Sequence, residues 1–163
     1  RKLAKVTFIN RAKDGSIRGL TVLRFNGARE ETTITKDKIA FMVNIDQIGS
    51  TLEPINEGRK DFLIMLGGSS FRHSYDNLLV TCNSMYETDL DLGFTYYGSE
   101  NFTKMFYRLS DQRVFVDNRI PAILFTSGIT MNTNKTWDKA GTLDMDVLKK
   151  RIYLIYHWIE KML

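Results

Sequence analysis

The apolar run Lys38–Ile45, which leads into the carboxylate Asp46, constrains the fold of this chain more than any other segment. Its apolar residues are nearly continuous rather than alternating, and this pattern is typical of a strand that is buried on both faces. Such a strand needs helices packed on the two faces of its sheet. The run therefore predicts an α/β sheet. In this sheet Asp46 follows directly after the carboxyl end of a strand, where open α/β sheets place their binding sites.

Strands and helices alternate along the rest of the chain. The first two strands are predicted to form a hairpin, because Asp14-Gly15 is a strong turn signal. The predicted strands occupy residues 4–10, 17–25, 38–45, 61–66, 92–97 and 122–125. The predicted helices occupy residues 70–87, 100–108 and 144–162. The buried stripe of the last helix is predicted to contain Val147, Leu148, Ile152, Ile155, Tyr156, Ile159 and Met162.

Length and composition limit the class of protein. The 163 residues, 43% of them hydrophobic, suit one domain with a real core, so residues 1–163 are interpreted as a single domain. The net charge of +4 comes from scattered Lys and Arg rather than from a basic stripe, so no nucleic-acid partner is predicted. No apolar run approaches the roughly 18 residues of a membrane span. The single cysteine, Cys82, excludes an intrachain disulfide and a thiolate metal cluster.

Two segments near predicted strand ends carry a family resemblance. They are Asn44-Ile-Asp-Gln-Ile-Gly49 and Ser110-Asp-Gln-Arg-Val-Phe-Val-Asp-Asn-Arg-Ile-Pro-Ala-Ile-Leu-Phe-Thr-Ser-Gly128. Together they resemble the zinc-dependent aminopeptidases, the co-catalytic metallo-exopeptidases that also include glutaminyl cyclases and the transferrin-receptor ectodomain. The resemblance covers roughly residues 38–163. It implies a three-layer α/β/α sandwich with a mixed, mostly parallel sheet.

The resemblance also implies a site for two zinc ions. In such sites the metal ions make a bridging water nucleophilic, and a free carboxylate acts as general base. Asp46 matches the family's strand-end zinc ligand. The pair Glu30-Glu31 matches the family's adjacent glutamates, so Glu30 is the expected general base and Glu31 an expected zinc ligand. Ser110 and Asp111 are expected to line the pocket for the amino terminus of a peptide substrate.

Several positions depart from the family's pattern. Met131 or Asn132 lies where the late histidine ligand is expected. A thioether and a neutral carboxamide are weaker zinc ligands than imidazole. Gln112 replaces the histidine of the Ser-Asp-His signature. The early histidine and bridging aspartate have no counterpart in residues 1–25, so that part of the family fold either lies upstream of Arg1 or has been lost.

The candidate residues also have structural interpretations. Glu30-Glu31 is displaced by two residues from the family's pattern and can form a solvated, charged turn that leads into residues 32–35. Ser110-Asp111 can cap a helix. Asp46 can simply cap the segment that follows its strand, in an ordinary turn. His73 and His157 lie in predicted helices and are interpreted as helix residues rather than as metal ligands.

Two functions are consistent with these patterns. The first is a zinc-aminopeptidase-like domain that hydrolyses peptides, with an incomplete metal site and weak or no activity. The second is a non-catalytic module on the same fold that binds a peptide or a protein partner. The small number of matched ligands favours the second. The resemblance further implies an extracytoplasmic location, either periplasmic or secreted.

Overall fold

The structure is a computed structural model that describes residues 4–11, 13, 17–24, 31–49, 59–68 and 75–163. The strands are β1 Ala4–Arg11, β2 Ile17–Arg24, β3 Glu31–Thr35, β4 Met42–Ile45, β5 Phe62–Leu66, β6 Asp91–Gly93 and β7 Ala122–Thr126. The α-helices are α1 Tyr75–Met85, α2 Glu100–Phe106, α3 Gln112–Asp117 and α4 Met145–Met162. Among the helices in these ranges, none has the length and hydrophobicity of a membrane span.

Four strands form an open sheet in the order β4-β7-β5-β6. The pairs β4-β7 and β5-β6 are parallel, whereas β5 and β7 are antiparallel. The sheet is therefore mixed and mostly parallel, and together with the helices it confirms the predicted α/β class. The finer assignment to a three-layer sandwich stays a prediction. Because of these strand directions, the carboxyl ends of β4 and β7 lie at one edge of the sheet, where β5 begins.

The first three strands form a separate antiparallel sheet in the order β1-β2-β3. The pairing of β1 with β2 confirms the predicted hairpin, although its turn at Asp14-Gly15 lies outside the described residues. The strand β3 is not among the predicted strands, although the β-branched residues 32–35 of the sequence suit a sheet. The strand predicted at residues 38–45 is shorter than expected, because Lys36–Lys38 forms a 3₁₀ helix and β4 begins only at Met42. The prediction that this strand is buried on both faces was wrong, because β4 lies at the edge of its sheet, where Met42, Val43 and Asn44 are half-buried and Ile45 is 47% exposed.

Alternate residues of β5 and β7 contribute to different parts of the core. One set packs against α1 and α4, and its buried members include Leu63, Met65, Ile123, Phe125, Leu79, Leu154 and Trp158. The alternate set packs around α2 and includes Phe62, Ile64, Leu66, Tyr96, Leu124, Phe106 and Tyr107. Ala122 packs against Phe115 of α3. Every residue of β5 and β7 is therefore buried, as expected for central strands covered by helices.

The buried face of α4 differs from the predicted stripe. Ile155 and Met162 are buried as predicted, whereas Ile152 and Tyr156 are 53% and 58% exposed. The buried side chains of α4 are Arg151, Leu154, Ile155, Trp158 and Met162. The prediction was wrong because apolar residues spaced by three and four outline two overlapping stripes on this helix. The stripe that is buried contains an arginine, which a hydrophobic pattern does not include.

Candidate functional site

Asp46 directly follows β4, and the loop that it opens is attached to the end of β7. The Asp46 backbone N–H donates to the Phe125 carbonyl at 3.0 Å. The carbonyl of Gln47 accepts from the Ser127 backbone N–H at 2.9 Å and from the Ser127 hydroxyl at 2.6 Å. Gln47 has φ of 56°, a left-handed conformation that marks a tight turn in a non-glycine residue. These bonds hold the two strand ends together, with Asp46 between them.

The far end of the same loop is held by Arg151 of α4. The guanidinium donates to the carbonyls of Ile48 at 2.7 Å, Phe62 at 2.7 Å and Lys60 at 3.3 Å. Arg151 is 0% exposed, and this burial lowers its pKa to about 10, so the group remains charged at neutral pH. One buried cation therefore connects α4 with the loop after β4 and with the start of β5.

A chain of hydrogen bonds connects Asp46 with α3. The Ser110 hydroxyl donates to Asp46 Oδ2 at 2.6 Å. Asn44 Nδ2 donates to Ser110 Oγ at 3.0 Å and to Gln112 Oε1 at 2.9 Å. Gln112 Nε2 in turn donates to the carbonyl of Tyr107.

The donors and acceptors in this series of hydrogen bonds can be assigned from the Tyr107 carbonyl. A backbone carbonyl can only accept, so Gln112 presents its N–H group to Tyr107 and its amide oxygen to Asn44. Asn44 must then donate, and Ser110 accepts from Asn44 and turns its own proton towards Asp46. The Asn44 amide therefore donates both to Gln112 and to Ser110, and Ser110 donates to Asp46.

Gln112 is fully buried and joins two members of the chain, so its loss should lower stability. In Gln112→Leu, a side chain of similar size leaves the Tyr107 carbonyl and one Asn44 N–H without their present partners. We expect the free energy of unfolding to fall by about 2 kcal/mol, as measured by urea denaturation. The control is Arg113→Ala in the same helix, which removes an exposed ion pair with Asp117 and should cost less than about 0.5 kcal/mol. Equal losses in the two variants would contradict this role of Gln112.

A pocket of about 340 Å³ opens beside Asp46 and Ser110. Its apolar lining consists of Tyr96, Phe106, Leu109, Leu124 and Ile129. Its other polar lining residues are Gln47, Thr126, Thr133 and Asn134. Among the described residues that line this pocket, Asp46 is the one charged side chain. The pocket therefore combines a single carboxylate and several neutral polar groups with an apolar wall of five side chains.

The aromatic part of the wall is held in place by several contacts. The ring of Tyr96 stacks on Phe106 with 4.0 Å between centroids. The Tyr96 hydroxyl accepts from the Ile129 backbone N–H at 2.9 Å, and burial raises the pKa of this phenol. Gly128 has φ of +89°, and a Cβ at this position would lie 2.6 Å from the Tyr97 hydroxyl. The loop after β7 thus packs directly on these tyrosines and needs glycine at its turn.

The structure brings together only some of the predicted site residues. Asp46 and Ser110 are hydrogen-bonded and both line the pocket. Asp111 is exposed, does not line the pocket and occupies the N-cap position of α3 without a capping hydrogen bond from its side chain. Glu31 begins β3 in the other sheet, and Glu30 lies outside the described residues.

The other residues considered as ligands or nucleophiles lie elsewhere. His157 stacks on Tyr86 with 3.7 Å between centroids, and its Nδ1 is 3.1 Å from Glu160 Oε2. Cys82 is buried, and this burial raises the pKa of its thiol. His73 lies outside the described residues. His157 is therefore a packed helix residue, and Cys82 is part of the core.

The donor groups around Asp46 do not fit a site for two zinc ions. Protein zinc sites use imidazole, thiolate and carboxylate ligands. In the part of the chain that the structure describes, no group of three or more His, Cys, Asp or Glu side chains is placed to hold a metal ion. The polar neighbours of Asp46 in the pocket are hydroxyl and carboxamide groups, which are weak zinc ligands. Met131 is 77% exposed, and neither Met131 nor Asn132 lines the pocket.

Two residues of the hydrogen-bond chain, Asn44 and Gln112, are not among the sequence candidates. Asn44 is nevertheless visible as a polar residue inside the apolar strand β4, and buried polar groups in strands need partners. Gln112 is marked in the sequence only as the replacement for the histidine of the Ser-Asp-His signature, and nothing in its neighbours indicates a buried polar contact. Its importance depends on tertiary contacts alone.

Comparisons with known proteins do not identify a family. No protein-family model matches the chain, and no curated protein matches its sequence. The resemblance to zinc-dependent aminopeptidases therefore stays a prediction. The function of the pocket is inferred from its own residues.

Proposed function

We propose that this chain is a non-catalytic module that binds the amino terminus of a peptide in the pocket beside Asp46. The observation that supports this function is one carboxylate, which accepts a hydrogen bond from Ser110, in a pocket that also has five apolar lining side chains. A peptide amino terminus is an ammonium group with an adjacent side chain. Asp46 can accept charge-assisted hydrogen bonds from the ammonium. The apolar wall can at the same time remove an apolar first side chain from water.

The size and charge of the pocket are consistent with such a ligand. Its volume of about 340 Å³ is at the lower end of the range of small-ligand pockets, roughly 300–1,000 Å³. A ligand of one residue therefore suits it better than a larger cofactor. Ser110 donates to Asp46, and Asp46 is the one charged residue in the described lining of the pocket, so the site offers a carboxylate acceptor to the ligand. An ammonium group complements this acceptor, whereas a carboxylate would be repelled by it.

Calorimetric titration with phenylalaninamide and N-acetylphenylalaninamide tests this function. We expect phenylalaninamide to bind with a Kd in the millimolar range, because ligands contribute about 0.3 kcal/mol per non-hydrogen atom. Acetylation removes the positive charge and two of the three N–H donors, so it should weaken binding at least about tenfold. Equal affinity for the two ligands would show that the pocket does not recognise an amino terminus.

A weak zinc-dependent aminopeptidase activity is the second candidate. The position of Asp46 at the carboxyl end of β4, hydrogen-bonded to Ser110, is the observation that favours it. Glu30 and Glu31 are the other residues that this candidate requires. Metal analysis of dialysed protein, with an aminoacyl-amide hydrolysis assay in added zinc, tests it. Stoichiometric zinc and turnover that is lost in Asp46→Asn would replace the non-catalytic function with this one.

A further inference from the structure

The outer surface of α2 carries a stripe of exposed apolar side chains. Phe102, Met105 and Leu109 are 55%, 48% and 65% exposed. Leu109 follows α2, and its backbone N–H donates to the Phe106 carbonyl at 3.1 Å, so the chain continues to turn as a helix. Spacings of three and four place these side chains on one side of the helix. We call Phe102, Met105 and Leu109 the α2 ridge.

The α2 ridge is continuous with the pocket. Leu109 belongs to both, because it lines the pocket and is exposed. Phe106 also lines the pocket, and its ring lies 6.2 Å from that of Phe102. Ile129, in the loop after β7, lines the pocket as well and is 38% exposed. The mouth of the pocket therefore has apolar side chains on the α2 side and on the loop side.

The charged groups of this region do not interrupt the ridge. Glu100 and Lys104 approach each other at 4.0 Å on another face of α2. Arg108 forms an ion pair with Asp117 of α3. Single exposed apolar residues are ordinary on protein surfaces, but a contiguous stripe beside a pocket is typical of a binding surface.

We propose that the α2 ridge binds the residues that follow the first residue of the bound peptide, and that the chain prefers bulky apolar side chains there. This inference rests on the proposed binding of a peptide amino terminus beside Asp46. A peptide whose first side chain fills the pocket must leave through the mouth, where Leu109 begins the ridge. From Leu109 to Phe102 the helix rises about 10 Å. Three residues of an extended peptide span about the same length, so the ridge matches the second to fourth residues.

Calorimetric titrations with three ligands distinguish binding in the pocket from binding along the ridge. Phenylalaninamide reports the pocket alone, and the peptide amides Phe-Ser-Ser-Ser and Phe-Leu-Ser-Leu add polar or apolar residues. We expect the apolar tetrapeptide to bind about tenfold more tightly than the polar one, since truncation of buried apolar anchors commonly costs more than 1 kcal/mol. The double variant Phe102→Gln, Met105→Gln should lose this tenfold difference. Glutamine is a good helix former, so α2 is retained.

The matched control is the double variant Ile152→Gln, Tyr156→Gln. These residues of α4 are 53% and 58% exposed, and they lie away from the pocket. This variant loses a similar exposed apolar surface and should keep the tenfold difference between the tetrapeptides. A difference that persists in the α2 variant, or disappears in the α4 variant, would overturn the inference.

The outcomes distinguish this inference from the proposed function. If phenylalaninamide binds and the tetrapeptides bind equally well, the ridge is not a peptide site, and the proposed function stands. If phenylalaninamide does not bind, the proposed function fails first. Sedimentation measurements on the unliganded protein test whether a second copy of this chain binds the ridge instead of a peptide. A dimer that becomes a monomer in the α2 variant would show that a second copy covers the ridge, and this would overturn the inference.

Discussion

Replacing Arg151 with methionine is expected to lower the free energy of unfolding by about 3 kcal/mol. Methionine fills similar space but leaves the carbonyls of Ile48, Phe62 and Lys60 without the guanidinium donors. A buried polar group without a partner costs about 1–3 kcal/mol, and relief from burying a charge offsets part of the total. Urea denaturation measures the change.

Two variants separate the role of this side chain from its charge. Arg151→Lys keeps the cation, but an ammonium cannot reproduce the planar fork that contacts several carbonyls, so an intermediate loss is expected. Lys150→Met removes the neighbouring exposed cation, whose Nζ is 3.2 Å from Asp61, and should cost at most about 1 kcal/mol. Equal losses in Arg151→Met and Lys150→Met would show that the buried hydrogen bonds do not stabilise the fold.

Asp46→Asn should weaken the binding of phenylalaninamide by about tenfold to a hundredfold, since hydrogen bonds to charged groups contribute about 1.5–3 kcal/mol. The replacement has nearly the same shape, removes the negative charge and exchanges one acceptor oxygen for an NH₂ donor. An asparagine oxygen can still accept from Ser110, so the hydrogen-bond chain and the fold should persist. Calorimetry gives the affinity, and the melting temperature without ligand confirms that the fold is unchanged.

The control for this variant is Asp111→Asn. Asp111 carries the same charge and is adjacent to Ser110 in sequence, but it is exposed and does not line the pocket. Its replacement should change the affinity by less than about twofold, because a solvent-exposed charge is strongly screened. Similar losses in both variants would point to a general charge effect rather than a contact with Asp46.

The central strands and the last helix could be predicted because their own residues carry the signal. The apolar residues of β5 and β7 are consecutive, and α4 has a helical period over 18 residues. The burial of Arg151 could not be predicted in this way. Its carbonyl partners lie 89 to 103 positions earlier in the chain and become available only at the edge of the finished sheet.

The candidate site could likewise be predicted only in part. Asp46 and Ser110 belong to motifs with a recognisable spacing, and the structure places them in contact. Asp111, the neighbour of Ser110 in that motif, is exposed, because the first turn of α3 directs successive side chains to different sides. The apolar wall could not be predicted, since it combines residues from β7, α2 and three loops.

The bond from Arg151 to the Ile48 carbonyl has a consequence for the order of folding. The loop that follows Asp46 receives this donor from a helix 103 positions later in the chain. Contacts of such long range form slowly, because a long loop must close before they contribute. No described residue of α4 lines the pocket. The bound ligand would not contact α4, yet the loop that carries Asp46 is held by Arg151 of this helix. Ligand binding should therefore develop late during refolding, after α4 has packed.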